Sequence, residues 1–179
     1  NGKLFLYFFS GPTNMFLFRP ENIYACELAS TGTWGEPEAL AKLDGYVPWR
    51  IRNYAQDSAL MSAYYGVDLY KNANNCHIRL FASADGKDWV PLDSSAQVTE
   101  PSAEEGEFIM DEEGNLWGTV RLERHGGMVS FAPKDSIHIW QNFPTKDKYD
   151  SALMFRHDST IYVIARRNMD GEFWKEPKW

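Results

Sequence analysis

Arginines recur at matching places in two parts of this sequence. Arg121 lies seven residues after Gly114, and Arg166 lies seven residues after Ser159. A guanidinium group binds a carboxylate through two parallel hydrogen bonds, a geometry that lysine cannot reproduce. The two arginines are therefore candidates for binding a carboxylated ligand, and the alternative is that they end strands as solvated charges.

Acidic residues precede both arginines. Counting nine residues back from Gly114 and Ser159 gives Glu105 and Asp150, and Glu107 follows closely. Glycoside hydrolysis usually needs two such groups, one as the acid for the leaving oxygen and one as nucleophile or base. We treat Glu105, Glu107 and Asp150 as candidate catalytic groups. The alternative for the glutamates is a solvated loop, since they belong to the acidic run 104–107.

These side chains must be positioned by β-hairpins. Phe108 to Met110 is a short apolar run, residues 112–115 form a turn, and a second apolar run from Leu116 to Val120 ends at Arg121. The second run has counterparts that begin at Leu4, Leu60 and Ile161.

The copies define a repeat. Leu4, Leu60, Leu116 and Ile161 are separated by 56, 56 and 45 residues. Short strands and turns at this period predict an all-β fold, a β-propeller with one four-stranded blade per repeat. Three copies are followed by a further strand and a turn that ends in tryptophan, at Trp34, Trp89 and Trp140.

The repeat predicts a single propeller domain over residues 1–179, with blades at about 1–45, 46–95, 96–145 and 146–179. About three and a half blades fall short of a closed ring, since propellers have roughly four to eight blades. We expect the chain to be part of a five- or six-bladed ring, completed by a longer chain or by another chain.

The repeat also brings binding residues together. Arg50 and Arg52 lie two residues apart in the strand that starts at Tyr46, so they point to the same face. Equivalent positions of neighbouring blades face a common axis. We expect Arg121 and Arg166 to converge there with Arg50 or Arg52, with Trp49 and Tyr149 as aromatic candidates for ligand binding.

Composition limits the partners. A net charge of −7 and the absence of basic stretches argue against nucleic acid and anionic membranes. No apolar run of about 18 residues is present, so we expect no membrane span. The four histidines lack metal-ligand spacing, and no phosphate loop or dinucleotide motif appears, so we expect neither metal nor cofactor. Cys26 and Cys76 are either a disulfide or buried free thiols.

One turn resembles a known motif. Ser83-x-Asp85-Gly86-x-x-Trp89 is similar to the Asp-box of sialidases and other BNR-repeat propellers, in a form one residue shorter than usual. In that motif the Ser and Asp side chains hold the turn through backbone hydrogen bonds, and the Trp packs between sheets. The role is structural.

The segment from Glu105 to Arg121 also resembles sialidases, in which an acidic residue opens the inner strand and an arginine ends the next. The resemblance implies an arginine cluster that binds the substrate carboxylate and a glutamate, Glu105 or Glu107, that assists a tyrosine nucleophile. It also implies an aspartate acid and favours an extracellular or periplasmic location. We therefore expect a sialidase-like glycoside hydrolase acting on a glycan with an acidic terminal sugar.

Two alternatives stay open. The first is a five-bladed glycosidase acting on neutral polysaccharide, which needs carboxylates but no arginine cluster. The second is a non-catalytic propeller that binds glycan or protein through aromatic residues such as Trp49, Trp117 and Tyr149.

Overall fold

The computed structural model describes residues 3–12, 18–55, 57–67 and 73–168. Within these residues, thirteen strands form four antiparallel sheets that follow one another along the chain. The first sheet contains β1 (Phe5–Phe9), β2 (Ile23–Glu27) and β3 (Glu38–Ala39). The second contains β4 (Tyr46–Tyr54), β5 (Ser58–Tyr65), β6 (His77–Ser83) and β7 (Val90–Pro91). The third contains β8 (Ala103–Met110), β9 (Leu116–Leu122), β10 (Gly127–Ala132) and β11 (Gln141–Thr145). The fourth contains β12 (Lys148–His157) and β13 (Thr160–Asn168), and two short 3₁₀ helices span Ala73–Asn75 and Lys134–Ser136.

The predicted hairpins are present. β8 pairs with β9 in antiparallel register, and the turn between them is closed by the Asp111 carboxylate, which accepts a hydrogen bond from the Asn115 amide at 2.8 Å. Gly114 adopts φ 87° in this turn, a conformation that glycine tolerates without strain. Each sheet is a meander of sequential antiparallel strands, so the chain is built of β-propeller blades, as the repeat predicts.

Two apolar layers hold the blades together. One lies between the first and second sheets and includes Ile23, Met61 and Phe81. The other lies between the second and third sheets and includes Leu80 and Phe108. Full burial of such a side chain stabilises the fold by about 1.5–3 kcal/mol. The two layers fix the spacing of the first three blades, and thereby of strands β4 and β8.

The outer turns differ in how they use their tryptophans. Trp89 and Trp140 are buried, and each indole donates a hydrogen bond at 3.1 Å to the carbonyl three residues earlier, on Gly86 and Ile137. Trp34 is 47% exposed, so the first sheet lacks a buried tryptophan at its outer turn. In the second sheet, the Ser83 hydroxyl accepts a hydrogen bond from the Gly86 amide at 2.9 Å, and this bond stabilises the turn. The resemblance of this turn to an Asp-box stays a prediction.

Cys26 and Cys76 are both buried and both free thiols, so of the two alternatives the disulfide is not formed. Burial, with the Glu104 charge adding to it, raises the pKa of the Cys76 thiol to about 11. The part of the chain that the structure describes contains no helix long and apolar enough to span a membrane.

Candidate functional site

The first strand of three successive sheets carries an irregularity at a corresponding place. The strand pairing shifts between Pro48 and Arg50 in β4, between Glu104 and Glu107 in β8, and between Asp150 and Leu153 in β12. Such β-bulges bend a strand and redirect its side chains. Glu105 and Ser151, inside two of the bulges, adopt φ 50° and 52°. Positive φ is uncommon for residues other than glycine. It persists where the surrounding structure holds the residue in that conformation.

The register of the strands around the bulges differs from the register expected from the sequence. Glu104 pairs with Arg121, and Asp150 pairs with Arg166. Glu104, rather than Glu105, is therefore the counterpart of Asp150. The reason is that Glu104 precedes its partner Arg121 by 17 residues, whereas Asp150 precedes its partner Arg166 by 16, so equal counting back from the turn displaces the match by one position.

Acidic groups surround the Arg121 guanidinium. Its Nη1 contacts Glu105 Oε1 at 2.7 Å, and its Nε lies 3.2 Å from Glu104 Oε1 and 3.1 Å from Asp150 Oδ1. Its Nη2 donates to Glu123 Oε2. Lys148 adds a second cation, with Nζ 3.6 Å from Glu123 Oε2 and 3.6 Å from Asp150 Oδ1. We call these six residues the Arg121 cluster. It contains Glu104, Glu105, Arg121, Glu123, Lys148 and Asp150.

The Arg121 cluster combines burial with an excess of acid. Four carboxyl groups share two cations, and the Glu104 side chain is 3% exposed. Desolvation raises the pKa of Glu104 to about 7, and the Glu105 charge adds to this while Arg121 opposes it. Burial and the neighbouring Arg121 lower the pKa of Lys148. A carboxyl group with a pKa near 7 exchanges its proton at neutral pH, as a general acid or base must.

Arg121 and Arg166 are linked through the bulges. Glu105 bridges them, because its Oε1 contacts Arg121 and its Oε2 accepts a hydrogen bond from the Ser151 amide at 2.6 Å. The Ser151 hydroxyl in turn accepts from Arg166 Nη2 at 3.1 Å. The structure thus brings Glu105, Arg121, Asp150 and Arg166 into one network, and their sharing of a ligand pocket stays a prediction.

Arg50 and Arg52 belong to a second group, centred on Glu107. The Glu107 side chain is fully buried, and its oxygens accept hydrogen bonds from Arg50 Nε and, at 2.6 Å, from Arg52 Nη2. Arg52 also donates to the Phe108 carbonyl and, at 2.5 Å, to the Met154 carbonyl. We call Arg50, Arg52 and Glu107 the Glu107 clamp. It ties β4, β8 and β12 together, and its carboxylate is fully engaged with protein.

The aromatic candidates lie outside both groups. Trp49 sits in the β4 bulge, where it is half-buried and packs near Tyr64, with ring centroids 6.3 Å apart. Tyr149 is half-buried and pairs with Arg167. Because side chains alternate along a strand, Tyr149 points away from the face on which Lys148 and Asp150 join the Arg121 cluster. Trp117 is 36% exposed and donates to Asp111.

Three members of the Arg121 cluster were not anticipated from the sequence: Glu104, Glu123 and Lys148. For Glu123 and Lys148, the sequence did contain a feature that indicates membership of the cluster. Glu123 follows Arg121 by two residues and Lys148 precedes Asp150 by two, so each pair shares a strand face. Glu104 is identified only by the strand register, in which Glu104 pairs with Arg121 as Asp150 pairs with Arg166.

The Arg121 cluster is suited to proton transfer by a carboxyl group that lies beside the charged Arg121 guanidinium. Glu104 and Asp150 contact the same Arg121 nitrogen, so a titrating carboxyl and a second carboxyl are close neighbours. Among the described residues, no group of three or more His, Cys, Asp or Glu side chains is arranged to hold a metal ion.

Comparison with known proteins places the fold. No protein-family model and no curated protein sequence matches this chain. Several solved structures are similar. A protein of unknown function from Dyadobacter fermentans aligns with 15% identity and a TM-score of 0.64, over 93% of this chain and 59% of its own. An endo-arabinase from Bacteroides thetaiotaomicron aligns with 15% identity and a TM-score of 0.57, over 98% of this chain and 75% of its own.

The third similar structure is a polysaccharide lyase, an ulvan lyase bound to -[GlcA(1-4)Rha3S]-. It aligns with 11% identity and a TM-score of 0.54, over 95% of this chain and 51% of its own. At these identities the similarity concerns the fold. The chain spans between about half and three quarters of the length of these proteins. Nearly the whole chain therefore shares its arrangement of blades with larger proteins.

Proposed function

We propose that this chain belongs to a carbohydrate-active β-propeller that hydrolyses a glycan, with the Arg121 cluster as its reactive site and an acidic terminal sugar as the favoured substrate. The observation that carries the proposal is the convergence of Glu104, Glu105 and Asp150 on Arg121 from two adjacent blades. Hydrolysis of a glycosidic bond usually requires two carboxyl groups that flank the scissile bond.

Roles follow from the environment of each carboxyl group. Glu104 retains its proton up to a pKa of about 7 and is suited to protonate the leaving oxygen. Asp150 lies beside both Arg121 and Lys148 and close to Glu104, a position from which it acts as base or stabilises positive charge. Glu105 is held by Arg121 and the Ser151 amide. The side chains of Arg121 and Glu105 are 14% and 9% exposed, more than those of the other four members, so substrate approaches from their side.

An acidic sugar is favoured by guanidiniums that keep exposed surface. Arg166, linked to the Arg121 cluster through Ser151, is exposed, and Arg50 and Arg52 of the separate Glu107 clamp keep 29% and 26% of their side chains exposed. Arginine is suited to carboxylate recognition because its N–H groups form a rigid fork. The resemblance to sialidases and the glucuronic acid in the ligand of the similar ulvan lyase support this choice by analogy.

A second candidate is a glycosidase acting on neutral polysaccharide. The observation that favours it is the engagement of Arg121 itself, whose guanidinium is surrounded by protein carboxylates instead of facing a substrate. The similar endo-arabinase supports this candidate by analogy.

The test is hydrolysis by the full-length protein of an aryl sialoside, an aryl glucuronide and neutral arabinan. We expect release from an acidic aryl glycoside, with loss of about 10²–10⁴-fold in Glu104→Gln and Asp150→Asn. Glu112→Gln, an exposed glutamate in the β8–β9 turn, is the matched control and should keep full activity. Cleavage of arabinan alone would support the second candidate, and no cleavage of any substrate would contradict both.

A further inference from the structure

A cleft of about 350 Å³ lies apart from the Arg121 cluster and the Glu107 clamp. Three segments line it: the approach to β2, the turn before β4 and the end of β5. Its lining residues are Arg19, Pro20, Glu21, Asn22, Asp44, Gly45, Tyr65 and Val67. The volume lies within the roughly 300–1,000 Å³ typical of ligand sites, and no lining residue belongs to either charged group.

Backbone hydrogen bonds fix the walls of this cleft. The Gly45 amide donates to the Glu21 carbonyl at 3.1 Å, and the Gly66 amide donates to the Gly45 carbonyl at 2.9 Å. Gly45 adopts φ 80°, and a Cβ at this position would lie 2.5 Å from the Tyr65 ring. The bare backbone therefore allows the turn to lie against Tyr65, and the three segments form one rigid frame.

Tyr65 presents a fixed aromatic surface to the cleft. Its ring stacks on His77 with centroids 5.3 Å apart and an interplanar angle of 11°, and it meets Tyr46 edge-on at 5.4 Å. The Tyr46 hydroxyl is in turn hydrogen-bonded to His77 Nε2 at 2.7 Å. Because its neighbours hold the ring in place, a ligand that packs on Tyr65 causes little loss of conformational entropy in this side chain.

The polar lining suits hydroxyl groups. Glu21 and Asp44 are exposed carboxylates, Asn22 offers an amide, and Arg19 contributes a single guanidinium. Carboxylate and amide oxygens accept hydrogen bonds from sugar hydroxyls, whereas two carboxylates against one arginine disfavour a negatively charged ligand. This chemistry differs from that of the arginine-rich margin of the Arg121 cluster.

The cleft and the Arg121 cluster lie at corresponding ends of their blades. Tyr46 pairs with Tyr65 where β4 begins and β5 ends, and Glu104 pairs with Arg121 where β8 begins and β9 ends. We propose that the cleft binds a neutral sugar residue of a glycan at this end of the propeller, with Tyr65 as the packing surface and Glu21 and Asp44 as hydroxyl acceptors. The inference rests on the proposed function for its ligand class.

Calorimetric titration of the full-length protein with neutral arabinotetraose and xylotetraose tests the proposal. We expect at least one probe to bind, and Glu21→Gln and Asp44→Asn each to weaken it about tenfold, since a charged hydrogen bond is lost. Tyr65→Leu should weaken it further. Glu36→Gln, an exposed glutamate of the first sheet, is the matched control and should bind as the unmodified protein does. Binding of neither probe, or unchanged affinity in both carboxylate variants, would overturn the proposal.

Hydrolysis of small aryl glycosides separates this proposal from the proposed function. These substrates have one sugar residue, and Asp44 lies outside the Arg121 cluster, so the Asp44→Asn variant should cleave them at the unmodified rate. Tetrasaccharide binding without aryl glycoside cleavage would contradict the proposed hydrolysis and leave the cleft supported. Cleavage without tetrasaccharide binding would contradict the cleft alone.

Discussion

Two groups of buried charged residues share strand β8, and they differ in the ratio of acidic to basic side chains. In the Glu107 clamp, two guanidiniums surround one carboxylate, and the hydrogen bonds of Glu107 and Arg52 together join three blades. In the Arg121 cluster, four carboxyl groups share one guanidinium and one ammonium. Glu104 and Glu107 are three residues apart in the chain, yet their surroundings assign them opposite roles.

The difference shows that burial of charge does not by itself indicate a reactive site. A carboxylate matched by two arginines keeps its charge and contributes to structure. A carboxyl group that is buried among other acids is destabilised when ionised, and it retains its proton to higher pH. Excess of one sign within a desolvated cluster is therefore the more informative signal.

The largest expected effect comes from breaking the Glu107 clamp. Glu107→Gln leaves two guanidiniums without their shared carboxylate, and we expect the free energy of unfolding to fall by about 3–5 kcal/mol. Chemical denaturation of the full-length protein measures this. Glu112→Gln, in an exposed turn, should change the stability by less than about 0.5 kcal/mol. Equal stability of the two variants would show that the clamp is not structural.

Removing the buried acid of the Arg121 cluster should change how stability depends on pH. The pKa of Glu104 is raised from its ordinary 4.5 to about 7, so the folded protein binds a proton more tightly than the unfolded chain. This contribution to stability is present below about pH 4.5 and is lost as the pH rises through 7, a change of about 3 kcal/mol. Glu104→Gln should remove this component, as measured by denaturation at pH 5 and pH 8. The same pH dependence in both proteins would contradict it.

A smaller effect is expected at the margin of the Arg121 cluster. Arg166→Ala should lower kcat/KM for an acidic aryl glycoside about tenfold, the loss of one charged hydrogen bond, and leave cleavage of a neutral glycoside unchanged. Arg167→Ala is the matched control, since Arg167 is exposed on the same strand and pairs with Asp147. Equal losses in both variants would argue against carboxylate recognition by Arg166.

The smallest effect is expected at the outer end of the second blade, far from both groups. The Asp85 carboxylate accepts hydrogen bonds from the amides of Lys87 and Asp88, each at 2.8 Å. Asp85→Ala should lower the free energy of unfolding by about 1 kcal/mol without changing kcat/KM. Asp88→Ala, an exposed neighbour in the same turn, is the control. A loss of activity without loss of stability would give this turn a role beyond structure.

Much of the fold could be predicted from the sequence because hairpins are local. The turn at Glu112–Asn115 and the apolar runs beside it define β8 and β9, and the period identifies their copies. The repeat also predicts a pocket shared by Arg121 and Arg166, and the structure links these two residues through Glu105 and Ser151.

The details of the site could not be predicted, because bulges and connection lengths decide them. Asp150 and Arg166 pair across 16 residues and Glu104 and Arg121 across 17, and this difference of one moves the counterpart of Asp150 from Glu105 to Glu104. Arg52 reaches the carbonyl of Met154, 102 residues away in sequence, a contact that no local pattern indicates. The partners that separate the Glu107 clamp from the Arg121 cluster come from different blades, so only packing reveals them.

The central claim is that a carboxyl group of the Arg121 cluster holds a proton at neutral pH. Carbon-13 NMR of side-chain carboxyls in the full-length protein, titrated from pH 4 to pH 9, tests this most directly. We expect one resonance with a midpoint near 7 that is absent in Glu104→Gln and kept in Glu112→Gln. If the Glu104 resonance instead titrates below about pH 5, like an ordinary glutamate, the cluster is a structural ion network like the Glu107 clamp and the account is wrong.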